Sequence, residues 1–322
     1  MTDTKNKVFL EFEKPIAELS AKVAELEHLG NERNVDVNKE VEFLRTKLDH
    51  MKREIFGGLT PWQKVQLARH PDRPYAFDYI SRIFTDFLEF HGDRRFADDP
   101  AIVGGFAKLD DMPVMVISTQ KGRNISENVH RNFGCPHPEG YRKALRLMKL
   151  ADKAGVPVIS LIDTPGAYPG IASEERHIGE AIAVNLREMF ALSVPFIAVV
   201  IGEGGSGGAL GIGVGNKILL MENAYYSVIT PEGCAAILWK DRSFSAKAAE
   251  SLKLTGKDLM ELGIIDGIIE EPLGGAHEDY DKAAGNLKKT LKKEISGFSG
   301  MSADEIKADR YKKYRTIGFF NE

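Results

Sequence analysis

Two amphipathic segments open the chain. In each of them, apolar residues recur at alternating steps of three and four: Phe9, Phe12, Ile16, Leu19, Val23 and Leu26, then Val37, Val41, Leu44, Leu48, Met51 and Ile55. This spacing places the apolar side chains on one face of a helix. Gly30 and Asn31 lie between the segments, so we predict an antiparallel helical hairpin over residues 1–56, with its apolar faces packed on each other or on a partner subunit.

Three later segments share a second pattern. Each starts with a proline, continues as a nearly unbroken apolar run, and reaches a glycine nine positions after the proline: Pro113 and Gly122, Pro157 and Gly166, Pro195 and Gly204. A strand that is apolar at almost every position is covered on both faces, which favours parallel pairing with helical crossovers. Repeats of about 40 residues agree with such units. We therefore predict an α/β fold.

The connecting segments predict the crossovers. Residues 141–154 indicate a helix that ends at Gly155, and Ser173 is a candidate N-cap for a second helix. The third crossover, residues 209–216, is short and contains three glycines, each of which disfavours an isolated helix by about 1 kcal/mol relative to alanine. This segment must therefore be held by close backbone packing.

Prolines and lysines indicate the domain boundaries. Pro61, Pro71 and Pro74 mark a break near residues 57–75, and the lysine-rich residues 281–322 have helical spacing. We predict a core over residues 57–277 and a solvated helical extension over residues 278–322.

Composition excludes several classes of protein. The 322 residues carry a formal net charge of −4, which makes nucleic acid an unfavourable main partner. Cys135 and Cys234 are the two cysteines, so the chain cannot form a zinc ribbon by itself. The start of the chain has no apolar leader, and the apolar run 194–201 is far shorter than the roughly 20 residues of a membrane helix. We expect a cytoplasmic protein that spans no membrane.

Glycine is over-represented at one place. The chain has 31 glycines, about eight more than a background of roughly 7%. Residues 202–215 contain eight of them. The surplus therefore belongs to one strand, loop and helix, and does not indicate flexible linkers.

Two short segments in and near this region match nucleotide-binding motifs. Gly202, Gly204 and Gly207 match GxGxxG, with Glu222 about 20 residues downstream, but the eight-residue link 209–216 is too short for a dinucleotide-binding crossover. Asp163 and Gly166 match the DxxG of a GTPase switch, yet no phosphate-binding P-loop motif accompanies them. The histidines show no metal-binding spacing, and no serine has the context of a nucleophile elbow.

The glycines instead favour a site for developing negative charge. Free backbone N–H groups at a helix start can stabilise an oxyanion, and glycine lets a substrate approach the main chain closely. Gly166 with Ala167, and residues 204–208, follow two neighbouring strands of the predicted sheet. In parallel sheets, ligands bind at this edge.

Several longer blocks carry a resemblance. Residues 162–170, 201–210 and 226–239, together with 69–75, 140–148 and 271–277, are similar to the carboxyltransferase alpha subunits of bacterial acetyl-CoA carboxylase. The resemblance covers nearly the whole chain. It implies a crotonase-type spiral of strand-strand-helix repeats and transfer of a carboxyl group from carboxybiotin to acetyl-CoA, which gives malonyl-CoA for fatty acid synthesis.

The resemblance also implies partners and site residues. A separate biotin carboxyl carrier protein would present the carboxybiotin, biotin carboxylase would load it, and a beta subunit with a zinc ribbon would supply most of the acetyl-CoA site in an alpha2beta2 assembly. This chain itself would hold no metal. The oxyanion pair of the family maps onto Gly207 and Gly208, and Gly166 and Ala167 would form the neighbouring wall of the carboxybiotin site.

Two other functions stay open at this point. Another crotonase-fold enzyme, such as an acyl-CoA hydratase or isomerase, would need a positioned carboxylate, for which Glu203 and Glu232 are the candidates. A scaffold subunit would use the glycine loop for structure alone. Lys121, Arg123 and Arg131 are candidates for phosphate contacts or for a solvated basic loop.

Overall fold

The N-terminal segment forms the predicted helical hairpin. The computed structural model describes residues 8–33 and 35–318, so residues 1–7 of the predicted hairpin and 319–322 of the predicted extension lie outside the described residues. Helices α1 (Lys14–Arg33) and α2 (Asn38–Gly57) pack together, with Arg45 of α2 donating to Glu27 of α1 over 2.7 Å. Phe12, just before α1, has its ring 6.1 Å from that of Phe56. The predicted break at Gly30 and Asn31 is wrong, because α1 runs through both. A Cβ atom on Gly30 would lie 2.5 Å from the Val37 side chain, so this glycine permits close packing at the turn.

One sheet forms the centre of the fold. Its strands are β1 (Thr85–Glu89), β2 (Ile102–Leu109), β3 (Met112–Thr119), β4 (Val158–Thr164), β5 (Phe196–Gly205), β6 (Lys217–Met221), β7 (Tyr225–Ser227) and β8 (Gly267–Ile269). Their spatial order is β1-β2-β3-β4-β5-β6-β8, and β7 pairs with the last residues of β5 beyond the end of β6.

The three repeated segments are the adjacent strands β3, β4 and β5. Their pairs are parallel, with Val116 beside Ile159 and Ile159 beside Ile197. The strands β4 and β5 are buried along their whole length. The prediction of a parallel sheet covered on both faces is confirmed for this part of the sheet, whereas β1, β2 and β3 form antiparallel pairs.

Helices connect and cover the strands. They are α3 (Pro61–Ala68), α4 (Ala76–Ile83), α5 (Ile125–His130), α6 (Pro138–Ala154), α7 (Ile171–Glu175), α8 (Ile178–Ala191), α9 (Ser206–Leu210), α10 (Pro231–Leu238), α11 (Ser245–Leu252), α12 (Gly256–Glu261), α13 (Tyr280–Ser296) and α14 (Ala303–Arg315).

The predicted crossovers are confirmed with one correction. Helix α6 ends at Gly155, which adopts a left-handed conformation, and the third crossover contains only the five-residue helix α9. Ser173 does not cap the second crossover, because it lies inside α7 and its hydroxyl pairs with the His137 ring over 2.8 Å. Helix α8 starts instead after His177, whose φ angle is 64°.

The C-terminal helices pack on the core. On α13, Leu287, Leu291 and Ile295 are buried, and Arg310 of α14 is fully buried. The Arg310 guanidinium donates to the carbonyls of Met189, Leu192 and Val194. The expectation of a solvated extension is therefore wrong for one face of each helix. It was based on the lysine content of the segment and overlooked the residues that pack on the core. Within residues 8–33 and 35–318, no helix combines the length and apolar character that a membrane crossing needs.

Candidate active site

The two glycine turns meet at the ends of β4 and β5. Thr164 pairs with Gly204 after a shift in register, which brings the following residues together. A Cβ atom on Gly208 would lie 2.4 Å from the carbonyl carbon of Gly166 and 2.5 Å from the nitrogen of Ala167. Only glycine permits this approach of one backbone to another. The structure therefore places Gly166 and Ala167 beside Gly208, as the parallel pairing predicts.

The chain turns sharply between β5 and α9. A Cβ atom on Gly205 would lie 2.1 Å from the carbonyl oxygen of Pro165, and Ser206 has a φ angle of 52°. Positive φ is uncommon for a residue with a side chain. Gly207 and Gly208 follow in the first turn of α9, where backbone N–H groups have no acceptor within the helix.

Two buried side chains hold α9 through carbonyl groups in the helix and directly after it. The Tyr141 hydroxyl donates to the carbonyl oxygen of Gly208 over 3.2 Å. The Asn185 side-chain amide donates to the carbonyl oxygens of Tyr141 and Gly211, at 2.9 and 2.8 Å. Helices α6 and α8 thereby hold the glycine helix in place.

A cleft of about 400 Å³ opens in front of these turns. Its lining includes residues 165–169 and 206–208, and Ile178 and Ile182 of α8 supply an apolar wall. Val228 covers another side. Ligand sites in proteins have this size and this combination of apolar walls with a few polar groups. All four predicted site residues, Gly166, Ala167, Gly207 and Gly208, line the cleft.

A buried ion cluster lies behind the cleft. The Lys121 ammonium donates to Asp163 Oδ1 over 2.6 Å and to Glu203 Oε1 over 2.7 Å. The backbone N–H of Glu203 also donates to Asp163 Oδ1, at 2.9 Å. Asp163 and Glu203 lie near the C-terminal ends of β4 and β5, and Lys121 lies two residues after the end of β3. The cluster therefore binds the three strand ends together beneath the glycine turns.

Arg69 extends the cluster toward α10. Its guanidinium donates to Glu203 over 2.6 Å and to Glu232 over 2.5 Å, and the Tyr225 hydroxyl donates to Glu203 over 2.7 Å. Burial alone would raise the pKa of the Glu203 carboxyl, but Lys121 and Arg69 lower this pKa to about 2. A carboxylate with so low a pKa is a poor proton acceptor near neutral pH. Both carboxylates that a hydratase would require are thus engaged in ion pairs.

The other basic candidates also have protein partners. Arg123 donates to the carbonyls of Pro71 and Arg73 and pairs with Asp78, while Arg131 donates to the carbonyl of Pro100. Their charged groups therefore join neighbouring segments of the chain.

One cluster has the residue types of a metal site. Ligand atoms of Glu13, His70 and His277 lie within 4.8 Å of one another. The two imidazole rings are stacked, with centroids 4.0 Å apart and planes at 17°, so their in-plane lone pairs do not converge on one point. The Asp72 N–H donates to His70 Nδ1, which leaves His70 Nε2 to donate to the Val8 carbonyl, at 3.1 Å. This cluster is suited to fastening the N-terminal segment rather than to holding an ion.

Comparison with known proteins decides the family. A family model described as acetyl co-enzyme A carboxylase carboxyltransferase-like matches residues 9–318. The chain belongs to this family. Curated carboxyltransferase family members named acetyl-coenzyme A carboxylase carboxyl transferase subunit alpha include one from Halorhodospira halophila, 56% identical over 98% of both chains. Another, from Thermus thermophilus, is 52% identical over 97% of this chain and 99% of its own.

Solved structures confirm the crotonase-type fold of this carboxyltransferase family member. Transcarboxylase 12S superposes with a TM-score of 0.55 at 19% identity, covering 69% of this chain and 41% of its own. A malonate decarboxylase hetero-tetramer from Pseudomonas in complex with coenzyme A contains a chain with the same TM-score, at 15% identity. That match covers 67% of this chain and 86% of the other. At these identities the likeness concerns the fold alone.

Sequence reasoning missed the ion cluster of this carboxyltransferase. Lys121 and Glu203 each lie eight positions after the proline of their repeat, whereas Asp163 lies six positions after Pro157. Aligning the first and third repeats would have placed a cation and a carboxylate at equivalent positions. Arg69 had no comparable signal, because it comes from a helix outside the repeats.

Proposed function

We propose that this carboxyltransferase is the alpha subunit that transfers a carboxyl group from carboxybiotin to acetyl-CoA, forming malonyl-CoA. The full-length match to alpha subunits supports the assignment. The observation that carries it is the contact of two glycine turns that line one cleft, with Gly207 and Gly208 in the first turn of α9. Carboxybiotin, presented by a separate biotin carrier protein, would supply the carboxyl group.

The main role of this chain would be electrostatic. The N–H groups of Gly207 and Gly208 would donate to the oxygen on which negative charge develops as the carboxyl group leaves its donor. Gly166 and Ala167 would form the neighbouring wall, beside the turn that holds Gly207 and Gly208. Tyr141 and Asn185 would keep the donors fixed by binding the carbonyls of Gly208 in the short helix and of Gly211 directly after it. Such preorganisation lowers the barrier because the donors need no rearrangement during the reaction.

The state of the carboxylates supports transfer over hydration. A hydratase or isomerase needs a carboxylate that exchanges protons with substrate near neutral pH. Glu203 is held ionised by Lys121 and Arg69, and Glu232 pairs with the same arginine. In carboxyl transfer, the proton leaving the acetyl methyl group would go to the biotin ureido nitrogen, so no base from this chain is required.

The proposal includes partners. A beta subunit with a zinc ribbon would supply the second oxyanion site and most of the acetyl-CoA contacts, in an alpha2beta2 assembly. Biotin carboxylase would load the biotin carboxyl carrier protein. A pull-down with the full chain as bait, followed by mass identification, is expected to recover the zinc-ribbon subunit.

Product analysis tests the proposed reaction. The chain is combined with its zinc-ribbon partner and supplied either with carboxylated biotin and acetyl-CoA or with crotonyl-CoA. We expect malonyl-CoA from the first mixture and no hydration product from the second. Hydration of crotonyl-CoA without malonyl-CoA would establish the hydratase instead. Replacement of Gly208 tests the scaffold alternative, since a scaffold would lose no activity as long as the complex assembles.

A further inference from the structure

A cationic groove lies on the other side of α8 from the glycine cleft. Ile178 and Ile182 of α8 line the cleft, whereas Glu180, Val184 and Arg187 of the same helix line the groove. Helix α6 and residues 93–95 complete the groove, which has a volume of about 470 Å³. Its cationic side chains are Arg94, Arg95, Arg142, Arg146, Lys149 and Arg187.

The groove has too few negative charges for its cations. The chain as a whole is acidic, with a net charge of −4, yet Asp93 and Glu180 are the carboxylates among the described lining residues. Asp93 accepts from Arg142 over 2.8 Å. Glu188, at the rim, pairs with Lys149 and Arg187 at 2.6 and 2.9 Å.

Three arginines have no carboxylate partner within residues 8–33 and 35–318: Arg94, Arg95 and Arg146. Two of their guanidinium groups converge on one atom, since Arg94 Nη1 and Arg146 Nη2 donate to the carbonyl oxygen of His91 at 2.9 and 3.2 Å. Burial lowers the pKa of Arg146, the neighbouring charge of Arg94 lowers it further, and Asp98 and Asp93 act in the opposite direction. Arg94 also has a φ angle of 64°, which is uncommon for a residue with a side chain. The chain therefore holds two guanidinium groups side by side, and one of them belongs to a residue with an unfavourable backbone conformation.

We propose that this groove binds a small anion that carries several phosphate groups. Guanidinium groups form paired hydrogen bonds with phosphate oxygens, and a bound polyanion would relieve the repulsion between Arg94 and Arg146. The volume is within the range of small-molecule sites. Leu145 and Val184 add an apolar wall on which a nucleobase can pack. The proposal does not depend on the carboxyl transfer reaction.

Calorimetric titration of the full chain with inorganic tripolyphosphate tests the proposal. We expect saturable binding that weakens as salt is added. Arg95→Glu reverses a charge at the groove without removing a side-chain contact found in the described residues, and it is expected to weaken binding about tenfold. Arg95→Glu combined with Arg146→Gln is expected to abolish binding. The matched control, Lys289→Glu, makes the same charge change on an exposed face of α13 and is expected to bind as the unmodified chain does.

Coenzyme A in a parallel titration distinguishes the sources of phosphate. If coenzyme A binds more tightly than tripolyphosphate, and Arg95→Glu loses this binding, the ligand carries a nucleotide. If coenzyme A binds equally or more weakly, phosphate alone is the recognised group. Three results would overturn the proposal. The first is the absence of saturable tripolyphosphate binding, and the second is equal binding by Arg95→Glu and Lys289→Glu. The third is binding to the free chain that disappears in the assembled complex, which would make the groove a protein interface.

Discussion

The hydroxyl of Tyr141 donates a hydrogen bond to the carbonyl oxygen of Gly208, 3.2 Å away. The N–H and carbonyl groups of a helix point toward opposite ends of its axis. Tyr141 therefore holds Gly208 by its carbonyl and leaves the N–H at the free end of α9. Asn185 links the end of this helix to α6, because its amide donates to the carbonyls of Gly211, directly after α9, and of Tyr141 in α6. The site thus depends on residues outside the cleft as well as on the glycines inside it.

Tyr141→Phe removes this hydrogen bond and little else. We expect kcat for malonyl-CoA formation to fall about tenfold, equivalent to about 1.4 kcal/mol, because α9 becomes less firmly positioned. The KM for acetyl-CoA should not change. Steady-state kinetics of the reconstituted complex measure both values, with Tyr311→Phe as the control because Tyr311 is exposed. An unchanged kcat would show that Tyr141 does not position the helix.

Lys121→Met tests the buried ion cluster. The substitution leaves Asp163 and Glu203 close together without their shared cation. We expect the free energy of unfolding to fall by about 3 kcal/mol, since removal of one partner from a buried ion pair is strongly destabilising. Denaturant titration measures this change. Lys282→Met, on an exposed part of α13, should alter stability by less than about 0.5 kcal/mol. Equal effects of the two substitutions would contradict the role given to Lys121.

The same cluster predicts a dependence of stability on pH. The pKa of the Glu203 carboxyl is lowered from 4.5 to about 2 in the folded chain. Its contribution to stability is therefore complete above pH 4.5 and disappears as the pH falls toward 2. We expect Glu203→Gln to be less stable than the unmodified chain at pH 7, with a difference that narrows below pH 4.5. A difference that stays constant from pH 7 to pH 3 would exclude this linkage.

Gly208→Ala tests the contact between the glycine turns. The added methyl group would meet the backbone of Gly166 and Ala167 at 2.4 and 2.5 Å, so the turns must separate. We expect a loss of about 1–3 kcal/mol in the free energy of unfolding, as for other overpacked sites. At Gly207, the new Cβ atom would lie 3.6 Å from the Ile182 side chain, which is an ordinary contact. Thermal unfolding should therefore show that Gly208→Ala is less stable than Gly207→Ala. Similar stabilities of the two variants would disprove the steric argument.

The sequence predicted the parts of the fold that local patterns determine. The three proline-to-glycine segments are neighbouring parallel strands, because uninterrupted apolar runs can only be buried on both faces. The glycine surplus predicted where the two turns meet, since a close approach of backbones requires glycine. The three glycines in residues 209–216 also predicted that the third crossover contains no long helix, and α9 has only five residues.

Contacts between distant residues were beyond this reasoning. Lys121 meets carboxylates 42 and 82 positions away, and only the register of three strands brings them together. Arg310 is buried under carbonyls from a segment more than 100 positions earlier, although its own surroundings in the sequence are polar. Ser173 lies inside the short helix α7, where its hydroxyl pairs with the His137 ring 36 positions away, and α8 begins only after His177.

Carboxyl transfer by Gly207→Val measures the central claim most directly. The position has room for a side chain within the fold, so the variant is expected to assemble with its partner, as is the control Gly285→Val on α13, where nothing lies within 4 Å. The isopropyl group would block access to the N–H groups of α9, and loss of such donors typically lowers the rate by about 10² to 10³. The account predicts a loss of malonyl-CoA formation of at least that size in Gly207→Val and activity close to normal in Gly285→Val. Malonyl-CoA formation by assembled Gly207→Val at a nearly normal rate would contradict it.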